Sequence, residues 1–389
     1  MTKRIKILAI FGTRPELIKF APIIKQMSIS EKDFDIVTCA TAQHRQMLDQ
    51  ALEFFNIQVD YDLDLMEDNQ SLERLTSRSL KAVSAVISEV EPDLVLVQGD
   101  TTTAFTGALA AFYQKVPIGH IEAGLRTNNL YAPFPEEGNR KLISSLTAFH
   151  FAPTRKAAEN LHGEGIKTES INITGNTVID SLLMAKNKIE EEHELNKSLG
   201  DWFSNACKYS SDITSKKKRM ILITQHRREN FGSKLDDIFK AFVQIANDYP
   251  DVVLVYPVHL NPNVHKVAHE KLSKISNFFL IPPASYAQLI YLMMHSYLII
   301  TDSGGIQEEA PSLKCPVIVT REESERPEGV DAGCSKLVGS DYYRILSNVS
   351  ELLDNKKSYE NMLVKNNPYG NGHAANSILE ILIDRFRNN

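Results

Sequence analysis

Tyr297-Leu298-Ile299-Ile300-Thr301-Asp302-Ser303-Gly304-Gly305-Ile306-Gln307-Glu308-Glu309-Ala310-Pro311 is the stretch on which the reading of the chain turns. A short apolar, β-branched run meets a glycine pair and then a helix-forming segment, which reads as strand, tight turn and helix N-terminus. Ser303, Gly304 and Gly305 remove side-chain bulk where the backbone turns. Successive N–H groups and the positive end of the helix dipole can then face a phosphate. Glu309 falls on the first turn or so of the helix, where a carboxylate could accept hydrogen bonds from a ribose. A serine N-cap followed by a capping-type glutamate accounts for the same residues without a ligand, so on this segment alone both readings stand.

Outward from this stretch the same pattern repeats. Met220–Thr224, Val252–Tyr256, Phe278–Ile281, Tyr297–Thr301 and Val317–Thr320 are predicted strands. They alternate with helices near Leu235–Tyr249, Asn263–Leu272, Ala287–His295 and Ile306–Leu313, an arrangement that demands a parallel sheet with right-handed crossovers. The first of these strands runs into Gln225-His226-Arg227-Arg228-Glu229. Its histidine and arginines suit a diphosphate clamp, although ion-paired residues at a helix start look similar. Arg326, in Glu325-Arg326-Pro327-Glu328, follows the last strand and can reach the same anion. His265 and His269 have the i, i+4 spacing of a metal pair, but Lys266 lies between them and no third ligand is in view, so no metal is expected.

The N-terminal half opens on a comparable junction. Strand Ile5–Phe11 ends in Gly12-Thr13-Arg14-Pro15-Glu16, and apolar residues from Leu17 to Met27 then recur at helical spacing. Arg14 inside the turn and Lys19 about one turn on put two cations beside a helix N-terminus, which suggests an anion. The full G-x-G-x-x-G is missing, so neither a nicotinamide nor a flavin cofactor is expected. Strand Asp93–Gln98 ends in Gly99-Asp100-Thr101, and Val116–Ile121 leads into Glu122-Ala123-Gly124-Leu125-Arg126-Thr127. Pro135-Glu136-Glu137-Gly138-Asn139-Arg140 follows. Asp100, Glu122, Glu136 and Glu137 thus gather at or beyond one end of neighbouring strands, where open α/β sheets place their ligands. Clustered carboxylates push each other's pKa values apart, so one can serve as base and another as acid near neutral pH. Asp100 also fits an N-cap, and one side chain can do both.

Composition bounds the rest. With 389 residues, 43% hydrophobic and 24% charged, the chain is long enough for two domains with full cores. A formal charge of −6 argues against a nucleic-acid or anionic-membrane partner, either of which wants a basic face. No run reaches the length of a membrane span, and Met1-Thr2-Lys3-Arg4 leads straight into a strand rather than a signal peptide. Cys39, Cys207, Cys315 and Cys334 show no paired spacing, so buried free thiols in a reducing cytoplasm are expected. The polar stretch from Lys186 to Lys218, with its lone Trp202, reads as a helix followed by an exposed, mobile insertion.

Phe11-Gly12-Thr13-Arg14-Pro15-Glu16, Gln43-His44-Arg45, Gly99-Asp100-Thr101-Thr102, His120 to Thr127, Pro135-Glu136-Glu137, His226 to Asn230, Asp302 to Pro311 and Glu325 to Glu328 together resemble the non-hydrolysing UDP-N-acetylglucosamine 2-epimerases. The resemblance covers nearly the whole chain. It implies an α/β fold of the GT-B type, with two Rossmann-like parallel-sheet domains and the active site in the cleft between them. Residues 1–177, joined by a returning helix over 370–389, would form the first domain, and 178–369 the UDP-binding second domain. Matched motif by motif, Arg14, Arg140, His226, Ser303, Gly304, Gly305, Glu309 and Arg326 would bind the substrate. Lys19, Asp100, Glu122 and Glu136 would surround the sugar, with Asp100, Glu122, Glu136 and His226 in catalytic roles. Which carboxylate is acid and which is base stays open.

The family reaction implies a UDP-sugar as ligand, no cofactor, and a cytoplasmic homodimer. It inverts carbon 2 by anti elimination of UDP to a 2-acetamidoglucal, followed by re-addition. A hydrolysing epimerase and a GT-B glycosyltransferase are the alternatives, and relatives of the first kind lack the Thr-Arg-Pro-Glu and Leu-Arg-Thr forms present here. Many bacterial relatives are activated by their own substrate at a second pocket. Gln43, Gln46 and His259 would line that pocket, but Asn69 stands where an arginine is expected, so weak or absent activation is the expectation.

Overall fold

The computed structural model describes residues 3–41, 45–67, 70–227, 230–259 and 261–387, with backbone alone for 45, 46 and 263. It has two compact units, Met1–Ser181 with Tyr369–Asn389, and Leu182–Pro368. Each is a Rossmann-like domain built on a parallel sheet, the α/β class expected from the alternation of strands and helices.

Among the described residues of the first unit, seven strands form its sheet: β1 (Ile5–Phe11), β2 (Phe34–Ala40), β3 (Tyr61–Asp62), β4 (Leu94–Gln98), β5 (Ile118–Ile121), β6 (Phe149–Ala152) and β7 (Ile171–Ile173). Their order is β3-β2-β1-β4-β5-β6-β7. The chain therefore lays β2 and β3 to one side of β1 and β4 to β7 to the other, which puts a topological switch point between β1 and β4. β1 from Ile7 to Phe11 and β4 from Leu94 to Val97 read as continuous apolar runs because helices cover both faces of the sheet, and all of β4 is buried. Helix Leu72–Val90, capped by Ser71, buries Leu75, Val83, Val86, Ile87 and Val90. It packs on the small apolar face of helix Thr102–Tyr113, where Ala104 and Ala108 have no exposed surface. The closing helix Ala374–Arg387 is tied to this unit at its start. Asp180 accepts the N–H groups of Ala374 and Ala375 at 3.3 and 2.9 Å.

Among the described residues of the second unit, six strands are paired: β8 (Arg219–Thr224), β9 (Val252–Pro257), β10 (Phe278–Ile281), β11 (Leu298–Thr301), β12 (Val317–Val319) and β13 (Ser335–Leu337). The order β10-β9-β8-β11-β12-β13 places this switch point between β8 and β11. There Thr224 and Thr301 are register partners, and their hydroxyls meet at 2.6 Å. Ile223, Phe239, Phe242, Tyr256, Ile300 and Ile345 anchor the core.

Two expectations are corrected. The helix after β11 starts at Gly304 rather than Ile306 and ends at Glu309, after which Ala310–Leu313 tightens to a 3-10 turn. Pro311 has no N–H to continue the α-helical ladder. Lys186 to Lys218, expected to be one helix and then an exposed insertion, is the end of helix Thr177–Glu191 followed by helices His193–Ala206 and Ser210–Thr214. Leu199, Phe203, Cys207 and Ile213 are buried, and Phe203 packs edge-on to Tyr291 at 6.3 Å, so four apolar anchors suffice where no long period was visible.

All four cysteines are free and buried. No described helix is long and apolar enough to cross a membrane, and no group of three or more His, Cys, Asp or Glu among the described residues could hold a metal ion.

Candidate active site

At the switch point of the second unit, the turn after β11 faces the turn after β8. Asp302 is fully buried, and its carboxylate accepts the backbone N–H groups of His226 and Arg227 at 3.0 and 2.9 Å. Nδ1 of His226 lies 3.0 Å from the same carboxylate. The Ser303 side chain makes no cap hydrogen bond, so it is not spent on the helix that starts at Gly304. A Cβ at Gly304 would lie 2.6 Å from Cζ of Arg326, which is why glycine stands there: the guanidinium rests directly against the first turn. Glu309 is 5% exposed and accepts a hydrogen bond from the Tyr286 hydroxyl at 3.3 Å.

A guanidinium against a helix N-terminus sets like charges together unless carboxylates intervene. Glu308 takes Nε of Arg326 at 2.8 Å, and Glu325 lies 2.6 Å from its terminal nitrogen. Glu325 also meets Arg321 at 2.7 Å and, more loosely, Arg227 at 3.9 Å. Burial works against its charge, yet Arg326 and Arg321 hold its pKa down at about 2. Arg326, Arg321 and Arg227 thus share Glu325, and the Arg326 guanidinium held against a helix N-terminus suits an anion such as a diphosphate.

In the first unit the switch-point turns carry the acids. Glu122 follows β5 in a left-handed conformation, φ +64°, strain that its surroundings must maintain. Lys19 lies 2.5 Å from its Oε1, Asn176 donates to the same oxygen at 3.1 Å, and Gln98 donates to Oε2 at 2.6 Å. A Cβ on Gly99 would come within 3.6 Å of that Oε2, so Glu122 lies beside the Gly99-Asp100 turn. Asp100 accepts Nε of Arg140 at 2.8 Å, with a second guanidinium nitrogen at 2.6 Å, while Asn139 donates to its backbone carbonyl at 2.8 Å. Helix Glu136–Leu146 supplies both partners and starts at Glu136, whose Oε2 is buried with no hydrogen-bond partner among the described residues. Glu137 is structural: fully buried, it accepts the N–H groups of Thr127 and Asn128 and pairs with Arg140 at 3.0 Å.

The sequence-predicted residues therefore fall into one group per unit. Lys19, Asp100, Glu122 and Arg140 come together in the first, with Glu136 one helical turn from Arg140. His226, Ser303, Gly304, Gly305, Glu309 and Arg326 lie along the two turns of the second. Arg14 opens helix Arg14–Ile29. His259 stacks on His226, ring centroids 6.0 Å apart, while Gln43, His44, Asn69, Arg228 and Glu229 lie outside the described residues, as does the side chain of Gln46.

Two buried carboxylates were passed over. Glu16 accepts from the N–H groups of Gly12 and Thr13 at 3.0 and 2.8 Å and from the Thr101 hydroxyl at 2.6 Å, stitching the turn after β1 to the turn after β4. Burial lifts its pKa to about 7 against those hydrogen bonds. The Thr13-x-x-Glu16 spacing was the signal for it. Asp302 does the equivalent in the second unit, and its signal was a carboxylate directly after an apolar strand.

A family model described as UDP-N-acetylglucosamine 2-epimerase matches residues 27–383. The chain is 50% identical to the UDP-N-acetylglucosamine 2-epimerase of Campylobacter jejuni over 378 residues, 97% of either chain. It is 47% identical to that of Yersinia pestis over 377 residues, 97% of this chain and 98% of the relative. Among solved structures, the UDP-GlcNAc 2-epimerase of Neisseria meningitidis bound to UDP-GlcNAc superposes with a TM-score of 0.90 at 46% identity, covering 98% of this chain and all of that one. The Methanocaldococcus jannaschii UDP-GlcNAc 2-epimerase, in complex with UDP-GlcNAc and UDP, gives a TM-score of 0.78 at 32% identity, covering 97% and 99%. With two carboxylate-cation pairs at the first switch point, an arginine-rich cradle at the second, and similarity along nearly its whole length, the chain belongs to the UDP-N-acetylglucosamine 2-epimerase family.

Proposed function

We propose that the protein is a non-hydrolysing UDP-N-acetylglucosamine 2-epimerase, reversibly inverting carbon 2 to give UDP-N-acetylmannosamine. The observation that carries the chemistry is the pair of carboxylates, Asp100 and Glu122, each held by its own cation at the carboxyl ends of neighbouring strands. The proton on carbon 2 is not acidic, because no adjacent carbonyl can hold the charge of a carbanion. Anti elimination avoids that charge. One carboxylate removes the carbon 2 proton, its C–H electrons become the C1–C2 double bond of a 2-acetamidoglucal, and the C1–O bond breaks with its electrons leaving on UDP. UDP then adds back to carbon 1 while a proton reaches the opposite face of carbon 2.

The demands of this scheme divide between the groups of residues. Asp100 and Glu122 exchange the protons, and Glu136 assists. Lys19 and Arg140 keep the paired acids from repelling one another and contact the sugar portion, and Arg14 contacts the UDP portion. Arg326, His226 and the Ser303-Gly304-Gly305 turn hold the diphosphate, where charge builds as the bond breaks, and Glu309 holds the ribose. No hydride carrier or metal enters the balance. We place the enzyme in the cytoplasm as a homodimer that supplies N-acetylmannosamine units for a bacterial surface polysaccharide.

Incubation with UDP-N-acetylglucosamine in deuterated water, followed by proton NMR, tests this. The expected product is UDP-N-acetylmannosamine with deuterium at carbon 2. Free sugar with UDP would instead mark a hydrolase, and no exchange without an acceptor a transferase.

A further inference from the structure

Asp302 closes β11 with no exposed surface, and it is answered almost wholly by the turn after β8. Its Oδ2 accepts the N–H of His226 at 3.0 Å, the N–H of Arg227 at 2.9 Å and Nδ2 of Asn230 at 3.2 Å. Asn230 is pinned in turn by the backbone carbonyl of Thr320 at 3.1 Å. Oδ1 lies 3.0 Å from Nδ1 of His226. Burial would raise this carboxyl group, yet the histidine and the backbone donors hold its pKa below the usual range, so the acceptor is an anion. On its other side the His226 ring stacks against His259, 24° from parallel.

The backbone contacts alone would explain Asp302 as the clasp of a turn. They do not explain Nδ1. An anionic oxygen at 3.0 Å from that nitrogen requires a proton on it, in the neutral ring as well as the charged one. A neutral imidazole free in water prefers its proton on Nε2, so the arrangement works against the intrinsic preference of the ring. It leaves Nε2 as the nitrogen through which His226 can meet a ligand.

We propose that Asp302 is a positioning residue that holds His226 in its Nδ1-protonated form and turns Nε2 toward the diphosphate of the UDP-sugar. This rests on the reading that the second unit binds UDP. As the C1–O bond breaks, its electron pair goes to the departing diphosphate. The doubly protonated ring, its Nδ1–H held by Asp302, donates its Nε2–H as a hydrogen bond to that oxygen without transferring the proton. On re-addition the same bond holds the diphosphate for attack on carbon 1.

The full-length protein labelled with nitrogen-15 histidine gives the direct test, because ring nitrogen shifts separate the two neutral forms. The His226 signals are identified by their loss in His226→Gln. Above the titration of the ring, the wild type should show Nδ1 protonated. In Asp302→Asn the amide NH2 would face Nδ1 and drive the proton to Nε2. The turnover number should fall at least about tenfold and at most about 10⁴-fold, the cost of replacing a carboxylate that sets a histidine's tautomer, while KM changes less than about threefold. A wild-type ring carrying its proton on Nε2 would overturn the proposal. So would a folded Asp302→Asn enzyme with wild-type turnover. If that variant does not fold, the wild-type spectrum decides alone. His226→Ala separates the two layers of inference: unchanged UDP affinity would remove the diphosphate from this turn, whereas the nitrogen shifts judge Asp302 without any ligand.

Discussion

Arg326→Ala should weaken UDP binding by more than a lost hydrogen bond, because the guanidinium does two things. It can donate to the diphosphate, and it neutralises Glu308 and Glu325, which lie 2.8 and 2.6 Å from it. The lost charged hydrogen bond is worth about 1.5–3 kcal/mol. Removing the cation also leaves Glu308, 1% exposed, without its Arg326 partner, so its charge faces the incoming anion. Two unit charges about 6 Å apart at an effective dielectric near 20 repel by roughly 3 kcal/mol. Glu325 matters less, since Arg321 still holds it at 2.7 Å. The expected total is about 4–6 kcal/mol, or on the order of 10³–10⁴ in the UDP dissociation constant. Arg326→Ala combined with Glu308→Gln should recover about half of it by removing the repulsion while the hydrogen bond stays lost. Titration calorimetry on both variants, with circular dichroism to verify folding, measures each part. Unchanged UDP affinity in Arg326→Ala would refute the placing of the diphosphate. A double variant as weak as the single one would refute the charge argument.

Asp100→Asn and Glu122→Gln should each lower epimerisation on the order of 10²–10⁴-fold with UDP affinity nearly intact, since each removes a proton-transfer group but keeps its shape. Initial rates near the wild type in either variant would remove that residue from the mechanism. Glu16 has its folded pKa raised from 4.5 to about 7, so its stabilising contribution is complete below the unfolded value and is lost as pH rises through about 7. The loss is about 3 kcal/mol. Hydrogen-exchange protection of Ile5–Ile29, corrected for intrinsic rates, should therefore fall between pH 4.5 and 7.5. Glu16→Gln, whose amide can donate to Thr101 instead of accepting from it, should flatten the trend, and equal slopes in the two proteins would count against it. Finally, with Asn69 where the family resemblance leads us to expect an arginine, UDP-N-acetylmannosamine alone should be converted at a measurable rate. Conversion that waits for a trace of UDP-N-acetylglucosamine would overturn this.

Much of this architecture was legible because it is written in local patterns. Continuous apolar runs such as Leu94–Val97 can only be strands buried on both faces, and glycine or proline turns such as Gly12-Thr13-Arg14-Pro15 mark the carboxyl ends where side chains become available to a ligand. β3 and β13, two and three residues long, carry no period to detect. The helices around Trp202 were missed because their burial rests on a few anchors, Leu199 and Phe203 among them.

Sequence alone determined which acids and cations stand at or near strand ends: Asp100, Glu122, His226 and Arg326 are in turns, and Lys19 is in the second turn of helix Arg14–Ile29, positions that follow from periodicity. It did not determine who pairs with whom. Glu308 and Glu309 are adjacent and chemically alike, yet one binds Arg326 and the other Tyr286. The difference lies in a helical rotation of about 100° per residue, which aims neighbouring side chains at different partners. In the same way, Lys19 finds Glu122 across 103 positions and Asp302 finds His226 across 76 only because the strand order sets β1 beside β4, with β5 next to it, and β8 beside β11. Strand order is fixed by how the whole sheet packs, and that is a property of the tertiary structure, not of any segment.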